Sequence, residues 1–150
     1  MKPYTTVKGH NLERDRVKFW KSIGHKDAAT SRAESKSADD KGVDLCNIPV
    51  IEQCKNGYDK GINYKALILD IKARVKKTKY SSMHLVIIHK KRGSFSAVMT
   101  HQTFKYFMSH KDCNSFYDFF WLNQVEKNLD WVKIDIKAYN QLMTERYELH

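Results

Sequence analysis

The chain has 150 residues, 41% of them hydrophobic and 12% aromatic, with no break in composition long enough for a linker, so one domain with a real core is expected and a disordered chain is excluded. Its 27 Lys and Arg against 17 Asp and Glu leave a formal charge of +10, which makes polyanions, nucleic acid above all, the natural partner class, although a membrane surface or a basic host proteome accounts for the same balance. No apolar run approaches the roughly 18–20 residues of a membrane span, and the opening "MKPYTTVKGHNLERD" has no apolar signal core, so no membrane insertion and a cytoplasmic location are expected.

In chain order, "KGHNLERDRVKFWKSIG" reads as a helix closing on Gly24, with Leu12, Val17, Phe19, Trp20 and Ile23 on one arc. Glu13 falls inside that arc, where an acid is costly unless it is paired or binds a cation. Arg16 shares the arc, so an i,i+3 Glu13–Arg16 pair is the plain alternative. The polar stretch "DAATSRAESKSADDKG", residues 27 to 42, reads as a mobile loop.

Two short β-rich runs follow, "GVDLCN" and "VIEQCK", separated by Ile48-Pro49, and an antiparallel hairpin is expected. A two-residue connection sets Asp44 opposite Gln53, with Lys55 further along the same face. A three-residue connection instead turns Asp44 towards Cys54 and Glu52, which leaves Glu52 as the alternative acid.

"NYKALILDIKARVKKTK" reads as a second helix, with Tyr64, Leu67, Ile68, Ile71 and Val75 on its packing arc and Lys65, Lys72, Lys76 and Lys79 on an adjoining one. The lysine arc is either a solvated face or a track for a phosphate backbone. "MHLVIIHKKRGSFSAVM" reads as two strands around a basic turn at Gly93, and "HQTFKYFMSH" as a short helix. The tail from Ser115 is expected to be helical with a strand at "WVKID", its Phe116, Phe119, Phe120 and Trp121 serving a core or a dimer seam.

Cys46, Cys54 and Cys113 are an odd set without a CxxC pair, which argues against a disulfide framework and a zinc site. The seven histidines show no HExxH spacing, and neither a Walker loop nor a GxSxG elbow is present, so zinc-hydrolase, ATPase, kinase and serine-hydrolase readings are set aside.

Taken in order, "GHNLERD", "SRAESKSADDKGVDL" and "VIEQCKNG" resemble the PD-(D/E)xK nuclease superfamily, and within it the archaeal-type Holliday junction resolvases and their phage-borne relatives. The resemblance runs from about Lys8 to about His110. It implies an α/β fold with the restriction-endonuclease-like PD-(D/E)xK core, a mixed β-sheet flanked by helices, with residues 111–150 as an extra C-terminal helical segment of the same single domain. It further implies that Glu13 is the helix-borne glutamate, Asp44 the first metal-binding aspartate, and Gln53-Cys54-Lys55 the (D/E)xK element. Ser35, or Ser31, would be the serine that affects cleavage. Gln53 departs from the usual acid, as in Mrr-type restriction nucleases, and lowers the negative charge of the site.

The implied chemistry is phosphodiester hydrolysis with Mg²⁺, or Mn²⁺ in its place, held by Glu13, Asp44 and the Gln53 oxygen, with Lys55 beside the reacting water or phosphate. The implied substrate is four-way or otherwise branched DNA, cut by a homodimer, with Arg32, Lys36, Lys65, Lys72, Lys76 and Lys79 on its phosphates. Compact resolvases of this type suggest a phage-borne protein acting in the host cytoplasm. The rival expectations are a restriction or repair nuclease on the same fold, a catalytically silent nucleic-acid binder with Gln53 marking a decayed site, and an assembly factor docking a partner through its aromatic C-terminal region.

Overall fold

The structure is a computed structural model that describes residues 4–58, 60–109 and 125–150, with side chains described from His10 onward. A first helix, α1 (Tyr4–Ser22), leads into a two-residue strand β1 (Ala29–Thr30), two short helices α2 (Ser31–Glu34) and α3 (Lys36–Asp40), and a second short strand β2 (Leu45–Cys46). Then come β3 (Ile51–Asn56), α4 (Tyr64–Val75), a 3₁₀ turn (Lys79–Ser82), β4 (Leu85–Lys91), β5 (Ser94–Met99) and α5 (His101–Met108). After residue 124, β6 (Glu126–Lys127), β7 (Val132–Asp135) and α6 (Ile136–Tyr147) complete the chain.

The main sheet has the order β3-β4-β5-β7-β6. β3 and β4 are parallel, joined by α4 as the crossover that such pairs require, and the other neighbours are antiparallel. The fold is therefore α/β, with a mixed five-stranded sheet between helices. In β4, Leu85 to Ile88 are apolar at every position and all buried, as a strand covered on both faces must be. Alternation divides them: Val86 and Ile88 join Leu12, Trp20, Phe107 and Tyr139 under α1, α5 and α6, while Leu85 and Ile87 join Ile51, Ile68 and Ile71 under α4.

The helices start where their capping residues stand. Asn63 accepts a hydrogen bond from the Ala66 amide ahead of α4, Thr100 from Thr103 ahead of α5, and Asp135 from Lys137 ahead of α6. On α4, Tyr64, Ile68, Ile71 and Val75 form the buried stripe, as the spacing predicts, although the helix ends at Val75 and leaves Lys79 in the 3₁₀ turn. No helix among the described residues is long and apolar enough to cross a membrane.

Four expectations are corrected. Residues 27–42 are not an open loop: β1, α2 and α3 occupy most of them, and Ser31 and Ala38 are buried. The expected hairpin is not a ladder, because β2 pairs with β1 while β3 pairs with β4. The chain from Asn47 to Val50 bends instead of making a two- or three-residue turn, with Asn47 at φ 64° ahead of Ile48-Pro49, and only the Asp44 amide reaches across to the Glu52 carbonyl, at 3.1 Å. Glu13 and Arg16 do not pair: Arg16 turns to Glu52 and Glu13 to Arg32. Residues 125–150 are not an extra helical segment: the strand expected at 131–135 is present as β7 and with β6 extends the main sheet, and Tyr139 of α6 enters its core. The aromatics at 116, 119, 120 and 121 lie outside the described residues.

Candidate functional site

Alternation along β3 sends Glu52 and Gln53 to opposite faces of the sheet, and this separates the two candidate acids. Glu52 is fully buried beneath α1 and α6. Its carboxylate accepts from Arg16 Nε and Nη2 at 2.8 and 2.9 Å, from Trp20 Nε1 at 3.0 Å and from the Tyr139 hydroxyl at 2.9 Å. A carboxylate with four donors and its own guanidinium has no capacity left for a metal ion or a water, so Glu52 is structural.

Gln53 faces the α4 side and meets Asp44. Asp44 precedes β2, is buried, and places Oδ2 2.6 Å from the Cys54 amide and 3.2 Å from Gln53 Nε2, both donating to it. Among the described residues nothing bonds its other oxygen. Desolvation pushes the Asp44 carboxyl up to about 8; the Cys54 amide opposes this, the charges of Glu13 and Asp39 add to it, and the Lys55 ammonium opposes it. Glu13, on α1, is also buried, and desolvation raises its pKa even though Arg32 Nε donates to its Oε2 at 3.0 Å. The backbone of the polar stretch is tied to the same place, with the Ser31 amide donating to the Asp44 carbonyl at 2.8 Å.

Gly42 makes this arrangement possible. It sits at φ +83°, and a Cβ there would lie 2.6 Å from Gln53 Oε1 and 3.2 Å from Ile71 Cγ1. Only glycine accepts both the backbone conformation and the close approach of the amide.

The residues fit a small hard cation. A buried carboxylate with one unbonded oxygen, raised towards neutrality by burial and further by two nearby acids, is stabilised by positive charge more than by any neutral partner. Turning the Gln53 amide end for end exchanges Nε2 for Oε1 beside Asp44, and the 3.2 Å between these atoms is close to the roughly 3 Å between adjacent oxygens of an octahedral Mg²⁺ ion. Among the described residues no three acidic, histidine or cysteine side chains form a ready-made cage. Such a site relies on water and substrate oxygens for the remaining ligands.

Lys55, two residues beyond Gln53 on β3, is half-buried, and its Nζ lies 5.7 Å from the centroid of the Tyr58 ring. Glu13, Asp44, Gln53 and Lys55, separated by up to 42 positions, are thus brought together from α1, the approach to β2, and β3. Ser35 is not spent on this cluster: its Oγ caps α3 by accepting from the Ala38 amide at 3.2 Å. The Ser31 hydroxyl lies against Cys46 Sγ at 3.3 Å.

The six basic residues divide. Arg32 is tied to Glu13, and Lys65 lies 3.4 Å from Asp130, so neither is a simple exposed cation. Lys36, Lys72, Lys76 and Lys79 are exposed, Lys72 and Lys76 lining a cleft of about 260 Å³ beside the 3₁₀ turn.

Sequence reasoning missed Asp39, whose charge acts on both Glu13 and Asp44. The only signal was its place in "SADDKG", three residues before Gly42. It also missed Tyr58, an exposed aromatic at φ 61° beside Lys55. Comparisons with protein-family models, with curated proteins and with solved structures find no match to this chain.

Proposed function

We propose that this chain is a Mg²⁺-dependent DNA endonuclease of the PD-(D/E)xK type, acting on branched DNA as a Holliday junction resolvase does. The observation that carries the reading is the buried Asp44 carboxyl, bonded through Oδ2 by the Cys54 amide and Gln53 Nε2, with the charges of Glu13 and Asp39 acting on it and Lys55 on the same strand as Gln53. A fold does not hold acids in this way without cost, and a cation offsets that cost. The mixed sheet flanked by helices is the architecture that the resemblance implies, and the +10 charge suits a polyanionic substrate.

Asp44 and the Gln53 oxygen would hold the metal, with Glu13 joining directly or through water. When bound, the ion supplies charge to offset the scissile phosphate and lowers the pKa of a water. The chain's own residues do the rest. The Cys54 amide fixes the Asp44 carboxylate, Gly42 leaves room for Gln53, and Arg32 holds Glu13 in place. Lys55 presents its ammonium to the oxygen on which charge develops, where a preorganised donor contributes most. Cutting a two-fold junction in pairs requires two copies of the site, hence a homodimer.

The test is cleavage of a labelled four-way junction beside linear duplex and single strand of the same sequence, with Mg²⁺, Mn²⁺ or chelator, for wild type and Asp44→Asn. Paired metal-dependent nicks confined to the junction and lost in the variant are expected. Equal cutting of duplex replaces the resolvase reading with a general nuclease on the same fold. Tight binding with no cutting by either protein refutes catalysis and leaves a silent binder.

A further inference from the structure

A large cleft among the described residues does not contain the proposed metal ligands. It is a groove of about 650 Å³ between α1 and the β4–β5 turn, with Asn56, Gly57, Lys90, Lys91 and Arg92 on the sheet side and Asn11 and Asp15 on the helix side. Its position follows from the sheet register. β3 and β4 run parallel with Lys55 beside His89 and Asn56 beside Lys90, so the groove begins one step beyond Lys55.

Its charge is also unusual. Lys90, Lys91 and Arg92 are consecutive, and among the described residues no acid forms an ion pair with any of them; Lys90 Nζ instead stands 5.2 Å from the Phe95 ring centroid. Among the described residues Asp15 is the only acid lining the groove, against three cations. Gly57 adds no side chain to the floor, since its φ is +94° and a Cβ there would meet nothing within 4 Å, while its N–H donates to the Lys90 carbonyl and its carbonyl lies 2.8 Å from His89 Nε2, which holds the floor in place.

We infer that this groove carries the backbone of the strand being cut, on the side of the scissile bond nearest the β4–β5 turn, with Lys90, Lys91 and Arg92 as its phosphate contacts. This rests on the nuclease reading and extends it. At about 3.3 Å per residue, Lys90 to Arg92 spans about 7 Å, and a duplex strand presents a phosphate every 3.4 Å or so of axis, so three successive cations cover the same length as about three phosphates. The contacts are to backbone and carry no base readout, which suits recognition by geometry. Lys72 on α4 and Lys76 at its C-terminal end line a different cleft and make no part of this groove.

The experiment is salt-dependent binding of a labelled four-way junction and of linear duplex, by fluorescence anisotropy in EDTA, for wild type, Lys90→Gln/Lys91→Gln/Arg92→Gln, the single Arg92→Gln and Lys72→Gln/Lys76→Gln. Each phosphate contact contributes about 0.9 to the slope of log K against log salt. The triple variant is expected to lose between two and three units of slope and Arg92→Gln about one; circular dichroism establishes that each is folded. Because Arg92 is an exposed turn residue, its single variant keeps the inference falsifiable should the triple variant unfold. Unchanged slopes in folded groove variants, with metal-dependent cleavage by the wild type, overturn the groove and leave the nuclease standing. A reduced slope with no cleavage by the wild type supports the groove as a nucleic-acid site and overturns the catalytic reading. No binding of DNA by the wild type at low salt overturns both.

Discussion

Glu52→Gln is the substitution that best tests the division of labour along β3. It keeps the shape of the side chain and removes its charge. The Arg16 guanidinium, 2% exposed, then remains beneath the sheet without a counterion, and one of the four donors from Arg16, Trp20 and Tyr139 meets an amide NH₂. Breaking a buried pair from one side costs about 3–5 kcal/mol, which is a large part of the roughly 5–15 kcal/mol that holds a domain together. At about 2–4 °C per kcal/mol for a chain of this size, the midpoint of thermal unfolding falls by roughly 6–20 °C. Thermal and urea unfolding followed by circular dichroism in EDTA measure it, and Mg²⁺ binding by calorimetry at a temperature where the variant is folded adds the second readout. Glu52→Gln loses stability and still binds Mg²⁺, with any weakening confined to what Glu13 contributes; Gln53→Ala keeps its stability and loses Mg²⁺ binding. A Glu52→Gln protein within about 1 kcal/mol of wild type refutes the claim that Arg16 depends on Glu52. A folded Glu52→Gln protein that no longer binds Mg²⁺ refutes the assignment of Gln53, and not Glu52, to the site.

Three further outcomes are expected. Asp44→Asn raises the stability of the metal-free protein: with a folded pKa of about 8 against an ordinary 3.8, the favourable protonated form is complete below about pH 4 and is lost as pH rises to 8, which costs about 4 kcal/mol at pH 7, so unfolding of wild type in EDTA weakens across that window and the variant's does not. Parallel pH profiles for the two proteins contradict the burial of that charge. Gly42→Ala loses at least about 1–2 kcal/mol to its left-handed backbone and also lowers Mg²⁺ affinity by displacing Gln53, and unchanged unfolding and calorimetry together exclude the proposed contact. Gln53→Glu keeps or raises Mg²⁺ affinity, since it returns a charge to the donor set; a folded variant with no metal binding counts against position 53 as a ligand.

Much of the fold was legible because its signals were local. The Leu85–Ile88 run reads as a two-sided strand, and Tyr64, Ile68, Ile71 and Val75 declare α4 by spacing alone. Residues 27–42 were misread because α2 and α3 have four and five residues, too few for a period, and are held by contacts such as Ser31 to Asp44 that composition does not reveal. The Glu13–Arg16 expectation failed for a related reason. Spacing finds a partner three residues away, whereas Arg16 and Glu52 lie 36 apart and meet only when α1 crosses the sheet. The grouping of Asp44, Gln53 and Lys55 survived the wrong turn geometry, since the alternation of β3 does not depend on how β2 approaches it.

The two faces of β3 are also connected energetically. On one face Asp44 and Glu13 are held close to one another and to the charge of Asp39, which weakens the metal-free fold as Asp44 and Glu13 ionise. On the other face Glu52 fastens the same strand to Arg16 and Trp20 of α1 and to Tyr139 of α6. α1 carries both Glu13 and Arg16, so the Glu52 network fixes where Glu13 stands relative to Asp44. A site that must hold its ligands to within about 0.5 Å needs support of this kind from packed neighbours. Loosening Glu52 should therefore disturb the distance between Glu13 and Asp44 before it disturbs Gln53, which belongs to β3 itself. Comparing metal affinity in Glu52→Gln, Glu13→Gln and the double variant measures that coupling: no loss in Glu52→Gln means that the buried network supports the fold alone, and a loss that disappears in the Glu13→Gln background means that Glu52 acts on the site through α1.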